Sequence, residues 1–326
     1  LTEDDLIAAI AQALGEPARK LVTGIGDDAA AWHPKGRHVA LMTTDMLVDG
    51  VHFRFHRTAP GQLGRKALAE NLSDIAAMGG RPSVAVVALG VTPQLDEAWV
   101  RDFYRGMAPL AASAGCAIAG GDIARAPALV ISIAVAGEAR RSSLRLRSGA
   151  RPGDLAVVTG ALGLAAAGLH FVDAGAHDAA KSRAVRAYLT PQPRLREGLF
   201  FGSRRAVHAV MDVSDGISTD LARMVRASKC SAVVEAARIY VHPDVAGAAQ
   251  QMGRDALDLA LSGGDDYELL AAIDARSFEH VAHAFRGRFG RPLAAIGRFE
   301  AGSGEVWIEC DGKREPLPAR GYDHLR

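Results

Sequence analysis

The sequence predicts two α/β domains. The chain has 326 residues, more than a single hydrophobic core usually holds, and strand-like and helix-like patterns alternate along most of it. Hydrophobic residues make up 49% and charged residues 23%, with 35 glycines, a composition typical of globular α/β proteins rather than of disordered or fibrous chains. We predict one domain at residues 1–138, a connecting segment at 139–153 and a second domain at 154–326.

Apolar runs that enclose two helical segments predict an α+β first domain. The runs are VALM at 39–42, VAVVALGV at 84–91 and LVISIAVAGE at 129–138. Apolar spacing favours helices at 61–78 and 94–114. The N-terminal stretch LTEDDLIAAIAQAL indicates a further helix, for which Thr2 and Asp5 are candidate capping residues.

The second domain is predicted from a regular alternation of strands and helices. An arginine-rich stretch without periodicity, ARRSSLRLRSGARPGD at 139–154, precedes it and is typical of a connection. The expected strands are LAVVTG, AVMDVS, AVVEA, YELLAAI and VWIEC, and helical patterns fill 162–208 and follow Gly216. This order favours a second α/β domain.

Charge and composition exclude several functional classes. A net charge of +1 gives no global field that would attract nucleic acid, and no apolar stretch is long enough to span a membrane. The N-terminus carries acids where a secretory signal carries lysines and arginines, so we expect a cytoplasmic protein. Three distant cysteines without a CxxC pair argue against a disulfide scaffold or a structural zinc site.

Aspartate recurs in six short motifs, most of them expected to form turns. They are GIGDD at 24–28, TTD at 43–45, NLSD at 71–74, GGD at 120–122, DVSD at 212–215 and GGDD at 263–266. Asp and Gly also form ordinary turns, but Asp74 falls near the end of a predicted helix, where the macrodipole disfavours an anion. Glu70 adds a like charge one turn earlier, which Lys66 relieves in part. A bound cation would relieve more.

The expected cation is a hard metal ion that binds phosphate. Oxygen ligands without a set of His and Cys suit Mg²⁺ or Mn²⁺, and we expect TTD to end its strand in such ligands. The P-loop, the dinucleotide GxGxxG and the kinase HRD/DFG motifs are absent. The aspartates of MDVSDG are three apart, unlike those of aspartyl-phosphate phosphatases. We therefore predict an ATP site in which acidic segments hold metal ions.

Taken together, these motifs resemble the thiamine-monophosphate kinase family of the aminoimidazole ribonucleotide synthetase superfamily. The matching strings are GIGDDAA, TTDMLVDGVHF, KALAENLSDIAAMGGRP, GGD, RSGARPGD, DVSDGIS, GGDDYEL and GYDH, in the family's order from residue 24 to 324. The resemblance implies a two-domain aminoimidazole ribonucleotide synthetase-like fold. Its N-terminal domain would bind metal and ATP and form a homodimer, and its C-terminal domain would complete the active site.

The resemblance also implies a reaction and a set of residues. ATP would transfer its γ-phosphoryl group to thiamine monophosphate with several Mg²⁺ ions, giving thiamine diphosphate and ADP. The implied metal ligands are Asp28, Thr43, Thr44, Asp45, Asp74, Asp122, Asp212 and Asp215. The implied ATP contacts are Gly121, Asp122, Arg147 and Ser214, and the implied substrate contacts are His52, Asp265 and Ala319. The expected catalytic residues are Asp45, Asp74, Asp212 and Arg147.

Two departures from the family pattern keep alternatives open. The family usually has GGED where this chain has GGDD, so Asp265 replaces a glutamate, and Ala319 stands where relatives often place an aromatic residue. One alternative is a sibling enzyme of the superfamily. Selenophosphate synthetase would need a reactive cysteine near the N-terminus, whereas the first here is Cys116. The other alternative is a non-catalytic scaffold that binds Mg²⁺ and nucleotide.

Overall fold

The computed structural model describes residues 9–10, 12–15, 21–23, 31–32, 38–175 and 182–321. The chain divides into two compact units. The first unit comprises residues 1–75 and 80–141, and the second comprises 76–79 and 142–326. The predicted capping residues Thr2 and Asp5 lie outside the described residues, while residues 9–10 and 12–14 are helical.

The first unit is a four-stranded sheet with helices. Its strands are β1 (Leu21–Thr23), β2 (Ala31–Trp32), β3 (His38–Val48), β4 (Arg81–Val91), β5 (Ala117–Arg125) and β6 (Val130–Arg140). Its longer helices are α1 (Pro60–Ala77) and α2 (Glu97–Ala114), and Phe55–Arg57 forms a 3-10 turn. The sheet order is β3-β6-β4-β5, and β1 pairs with β2 separately. The two helices predicted at 61–78 and 94–114 are confirmed with small shifts at their ends.

Helices α1 and α2 approach each other closely at glycines. A Cβ atom on Gly64 would lie 2.1 Å from the carbonyl oxygen of Phe103, and one on Gly106 would lie 2.0 Å from that of Gly61. No larger residue fits at these positions without a backbone shift. Asp96 caps the start of α2 by accepting a hydrogen bond of 2.7 Å from the Trp99 N–H, and Gly115 ends the helix with φ 67°.

The sheet of the first unit has one covered and one uncovered face. Ile131, Ile133 and Val135 of β6 are fully buried. On the opposite face, Met42 and Met46 of β3 are 81% and 57% exposed, and Val86 of β4 is 37% exposed. Successive side chains of a strand point to opposite faces, so this contrast follows from the period of two. The unit therefore presents a large apolar face to its surroundings.

Two sequence predictions about these strands were wrong. The TTD motif does not end its strand, because Thr43, Thr44 and Asp45 lie inside β3 and pair with residues 133–135 of β6. GGD is not a turn either, since it lies within β5 and pairs with residues 86–88 of β4. The backbone of β3 continues in extended form until Gly50, where φ becomes 83°.

The second unit is a seven-stranded mixed sheet with helices. Its strands are β7 (Asp154–Val158), β8 (Val207–Val213), β9 (Ser231–Glu235), β10 (Glu268–Asp274), β11 (Ala294–Glu300), β12 (Val306–Cys310) and β13 (Lys313–Pro316). Its helices are α3 (Leu164–Asp173), α4 (Arg183–Leu189), α5 (Leu195–Gly202), α6 (Ile217–Ser228), α7 (Pro243–Met252), α8 (Ala256–Ser262) and α9 (Phe278–Phe289). The sheet order is β13-β12-β9-β11-β7-β10-β8. No helix among the described residues is long and apolar enough to cross a membrane.

All five strands predicted for this region are present, but the central strand β11 was missed. Its sequence, AAIGRFE, contains a glycine and an arginine and lacks a run of β-branched residues. The structure explains the glycine, because a Cβ on Gly297 would lie 2.0 Å from the Val233 carbonyl oxygen of β9. Close packing of neighbouring backbones thus selects a residue that weakens the local strand pattern.

A buried ion pair anchors the start of β10. Glu268 is 4% exposed, and both of its oxygens accept hydrogen bonds from Arg194. The Thr159 hydroxyl donates to Glu268 Oε2 at 2.6 Å and accepts from the Leu269 N–H at 2.8 Å. Burial lowers the pKa of Arg194, but the Glu268 and Glu197 carboxylates raise it overall. The Arg194 guanidinium therefore stays charged although it is largely buried.

We predict that Arg194→Met lowers the free energy of unfolding by about 3 kcal/mol, because it removes both hydrogen bonds from Arg194 to the buried Glu268 carboxylate and leaves it the more distant Arg291, 3.9 Å away. Urea denaturation at neutral pH measures the loss. The exposed Arg205 provides the control, and Arg205→Met should change the free energy by less than about 0.5 kcal/mol. Equal effects of the two substitutions would contradict this role of Arg194.

Candidate functional site

Three oxygen-bearing side chains of the first unit meet where β3 faces α1. Thr43 and Asp45 are two residues apart on β3 and so point to the same face of the sheet. The Thr43 hydroxyl donates a hydrogen bond to Oδ2 of Asp74, near the end of α1. Burial, and then the charge of Asp74, raise the pKa of Asp45 to about 7. Asp45 and Asp74 therefore form a like-charged pair.

This pair has the chemistry of a cation site. The carbonyl end of α1 adds negative potential near Asp74, and a divalent cation would remove the repulsion that raises the Asp45 pKa. The Lys66 ammonium group lies 3.9 Å from Glu70, which is one helical turn before Asp74. Two carboxylates and a hydroxyl are oxygen ligands of the kind Mg²⁺ prefers. The residues present thus fit the predicted metal.

Thr44 lies on the other face of the sheet. It is exposed and stands between Met42 and Met46, whereas Thr43 and Asp45 face the helix. Its hydroxyl cannot join theirs without turning the strand over. The sequence motif TTD therefore separates into two faces that the linear pattern could not distinguish.

Asp122 also lies on the uncovered face of this sheet. Register places Met46, Ser132, Ala88 and Asp122 in one row across the four strands, and Asp45 lies in the next row with Gly121. Three strand spacings, about 14 Å, separate β3 from β5. A Cβ on Gly121 would lie 1.7 Å from the Val87 carbonyl oxygen, so only glycine fits there. Within one copy of the sheet, Asp122 does not join the Asp45 pair.

A tight turn after β3 positions His52. The turn is closed by hydrogen bonds from the His52 N–H to the Val48 carbonyl at 3.0 Å and from the Gly50 N–H to the Phe53 carbonyl at 2.9 Å. Phe53 is fully buried and Asp49 accepts from the Phe55 N–H at 2.9 Å. His52 Nδ1 accepts a hydrogen bond of 3.0 Å from the Val48 N–H. In the neutral ring Nε2 therefore carries the proton and is a donor.

In the second unit, the DVSD and GGDD segments are joined by their backbones. The Asp265 N–H donates to the Ser214 carbonyl at 2.7 Å, and the Tyr267 N–H donates to the Val213 carbonyl at 2.9 Å. Asp265 and Tyr267 have φ values of 64° and 49°, which side-chain-bearing residues rarely adopt. Backbone strain of this kind concentrates at functional sites. The predicted residues Ser214 and Asp265 are thus brought together.

Asp215 is held in an ionic cluster. Its carboxylate pairs with Arg223, which also donates to Asp220 at 3.0 Å. Asp220 is fully buried and accepts from the Asp215 N–H at 3.1 Å. Burial, and then the charge of Asp215, raise the pKa of Asp220 to about 7, and Arg223 and Arg147 oppose that rise. The predicted residues Asp215 and Arg147 therefore act on the same cluster.

Sequence reasoning missed the roles of three acids in this unit. Asp220 falls in the first turn of α6 after Gly216, a position whose helix-start pattern could have indicated it. Asp266 accepts hydrogen bonds from the N–H groups of Gly163 and Ala165, at 2.6 and 3.2 Å, and so caps α3. Burial raises the pKa of Asp266 to about 8. Glu268 belongs to the buried ion pair with Arg194, and no local sequence pattern predicts that pair.

The C-terminal segment lies against the start of α6. The Gly321 N–H donates to the Thr219 hydroxyl at 2.9 Å, and a Cβ on Gly321 would lie 2.0 Å from the Asp215 carbonyl oxygen. Ala319, two residues earlier, is exposed. Asp212 is 3% exposed and lies in β8, just before the Ser214 turn. The C-terminal segment thus packs beside the turn that carries Ser214 and Asp215.

The full predicted metal constellation is not assembled within the part of the chain that the structure describes. No group of three or more His, Cys, Asp or Glu side chains comes close enough there to hold one metal ion. Asp28 lies outside the described residues. What the structure brings together is the pair Asp45 and Asp74 with Thr43 in the first unit, and the Asp215 cluster in the second.

Comparison with known proteins identifies the family. Residues 26–139 match the family model "AIR synthase related protein, N-terminal domain", and residues 151–309 match "AIR synthase related protein, C-terminal domain". The thiamine-monophosphate kinase of Escherichia coli (strain K12) is 34% identical over 315 residues, which cover 93% of this chain and 91% of that protein.

Solved structures of thiamine-monophosphate kinases also match this chain. The thiamine-monophosphate kinase from Stenotrophomonas maltophilia K279a matches with a TM-score of 0.82 and 36% identity, covering 96% of this chain and 98% of that one. AaThiL complexed with AMPPCP and TMP matches with a TM-score of 0.76 and 28% identity, covering 98% and 97%. The fold is therefore the two-domain AIR synthase-related fold, and this chain belongs to the thiamine-monophosphate kinase family.

Proposed function

We propose that this chain transfers the γ-phosphoryl group of ATP directly to the phosphate of thiamine monophosphate, assisted by Mg²⁺ at Asp45 and Asp74. Membership of the family indicates a kinase that acts on thiamine phosphate. The AaThiL structure, which contains AMPPCP and TMP, supports ATP as the co-substrate and thiamine monophosphate as the acceptor. The metal and the residue roles are our inference, and the like-charged pair of Asp45 and Asp74 carries it.

The acceptor determines which catalytic groups are needed. A phosphate monoester has its second pKa near 6, so the attacking oxygen is largely ionised at pH 7 and no general base is required. The difficulty is that two polyanions must approach each other, and phosphoryl transfer depends on alignment and charge neutralisation. Mg²⁺ bound by carboxylates supplies that neutralisation. The acidic motifs are thus explained as metal ligands rather than as proton acceptors.

We assign a role to each residue within its own unit. In the first unit we assign Thr43, Asp45 and Asp74 to metal binding and the Nε2–H of His52 to a hydrogen bond with the acceptor phosphate. In the second unit we assign Arg147 to a forked contact with the ATP phosphates and Ser214 to ATP binding. Asp28, Thr44, Gly121, Asp122, Asp212, Asp215, Asp265 and Ala319 stay as predicted from the family resemblance. A cytoplasmic location likewise stays a prediction from the sequence.

We also propose that the chain forms a homodimer through the uncovered sheet of the first unit. Strands of 11 residues, as in β3, β4 and β6, are about 36 Å long, and four strands span about 19 Å. The resulting face of roughly 700 Å² approaches the ~800 Å² per partner of a standard interface. Thr44 and Asp122 lie on this same face, so a second copy would contact residues that the family assigns to metal and ATP.

The reaction itself is tested by ADP release. We expect ADP to be formed from Mg-ATP with thiamine monophosphate but not with free thiamine, whose hydroxyl is un-ionised and brings no phosphate. Labelled ADP should not exchange into ATP when thiamine monophosphate is omitted, because direct transfer forms no phosphorylated enzyme. A non-catalytic scaffold would bind ATP without releasing ADP. Exchange at the rate of turnover would exclude direct transfer.

The metal assignment is tested by Asp45→Asn, which should lower kcat at saturating Mg²⁺ by at least about 100-fold. In the absence of metal, the same substitution should stabilise the folded protein. The Asp45 pKa is raised from 3.8 to about 7, so the wild type loses stability as pH rises from about 4 to 7, and the variant does not. At pH 8 in EDTA the variant should therefore be more stable by at least about 1.4 kcal/mol.

Added Mg²⁺ should stabilise the wild type and leave Asp45→Asn unchanged in thermal unfolding. Asp102, exposed on α2, gives the matched control, and Asp102→Asn should retain activity and the wild-type response to Mg²⁺. Near-normal turnover of Asp45→Asn would refute the assignment of Asp45 to the metal.

The dimer is tested by Met42→Glu. Met42 is 81% exposed in the single chain, so the charge should leave the folded monomer intact but oppose burial of the sheet face. Sedimentation velocity at micromolar concentration should show a dimer for the wild type and a monomer for the variant. Met252, 37% exposed on α7, is the control, and Met252→Glu should stay dimeric. A dimeric Met42→Glu protein would place the interface elsewhere.

A further inference from the structure

The second unit contains a cavity to which the family resemblance assigns no role. It has a volume of about 260 Å³ and lies beside the end of β7 and the start of β11, two neighbouring interior strands of the sheet. Its floor is apolar, since Val158, Leu162 and Ile296 are each 2% exposed or less. None of the residues proposed above for ATP, metal or thiamine monophosphate lines it. It therefore requires a separate explanation.

The charged side chains that line this cavity are both cationic. Arg183 and Arg291 line it, and no carboxylate does. Arg291 is balanced, because it donates a hydrogen bond of 2.7 Å to Glu197 outside the lining. Arg183 is exposed at the start of α4, and no carboxylate in the described ranges forms an ion pair with its guanidinium. A guanidinium that has no carboxylate partner among the described residues favours an anion above the apolar floor, and its planar fork matches a carboxylate.

An aromatic side chain stands beside this charge. Tyr240 lines the cavity while remaining 61% exposed. Its ring and that of His242 are nearly perpendicular, with their centroids 6.2 Å apart. A flat ring placed against Tyr240 would gain about 0.5 to 1.5 kcal/mol beyond its burial. The apolar floor and the Tyr240 ring thus favour a ligand with a planar apolar ring system.

We propose that this cavity binds a small aromatic carboxylate, with the ring on the apolar floor beside Tyr240 and the carboxylate paired with Arg183. The volume is below the usual 300–1,000 Å³ of ligand sites, so a body of one or two rings is the appropriate size. The inference does not depend on the proposed kinase reaction, since it uses only the cavity, its charges and its aromatic rim.

The test uses 2-naphthoate as the probe and its neutral analogue 2-naphthamide for comparison, each titrated calorimetrically into the full-length chain at low salt. We expect 2-naphthoate to bind at least about tenfold more tightly than the amide, a difference of about 1.4 kcal/mol. Arg183→Gln should abolish this difference. Arg186 is exposed on the same helix but does not line the cavity, so Arg186→Gln should preserve it.

A second variant fills the cavity without altering charge. Ala294 belongs to the lining, and Ala294→Phe should prevent binding of both probes while the thermal unfolding transition is retained. If that variant fails to fold, Arg183→Gln decides alone. Inorganic phosphate should not displace 2-naphthoate, because it cannot use the apolar floor. Absence of 2-naphthoate binding, equal binding of the amide, an unaffected Arg183→Gln protein or displacement by phosphate would each overturn the proposal.

Discussion

The pairing of β3 with β6 along eleven residues is the constraint on which the candidate site of the first unit depends. Because the side-chain period of a strand is two, this pairing fixes Thr43 and Asp45 on the face that α1 covers, and Met42, Thr44 and Met46 on the face that it leaves uncovered. One strand thereby contributes to both the proposed cation site and an apolar surface. A slip of a single residue would exchange the two and place methionines against Asp74.

In the second unit, the main constraint is a strained turn that contacts on both sides hold in place. Asp265 and Tyr267 adopt positive φ values just before β10 begins. On one side their N–H groups bond to the backbone of the Ser214 turn, and on the other Glu268 is fixed by Arg194 and Thr159. An isolated buried ion pair adds little stability compared with an apolar pair. Here its more specific effect is to fix the register at which the turn enters the sheet.

The sequence predicted both domains, the two long helices of the first unit and most strands, because these elements have strong apolar periodicity. It failed where tertiary contacts override the local pattern. TTD and GGD have turn-like compositions, yet pairing with β6 and β4 keeps them extended. The glycine of β11 weakens its strand pattern, although close packing against β9 requires it. Among site residues, Asp74 could be singled out from its position in a helix, whereas the buried partners Asp220 and Glu268 depend on contacts between distant segments.

The electrostatics of Asp45 connect stability with function. Burial beside Asp74 makes ionisation of Asp45 unfavourable in the folded chain, so near neutral pH the metal-free protein is less stable than it would be without that charge. On the proposed function, binding of a divalent cation would relieve the same repulsion, and this relief would add to the affinity of the site for the cation. Metal binding and proton release are then coupled, which makes affinity for the cation rise with pH around the Asp45 pKa. The thiamine monophosphate phosphate ionises in the same pH range. On the proposed function, one rise in pH therefore prepares both the metal site and the nucleophile, without a separate catalytic base.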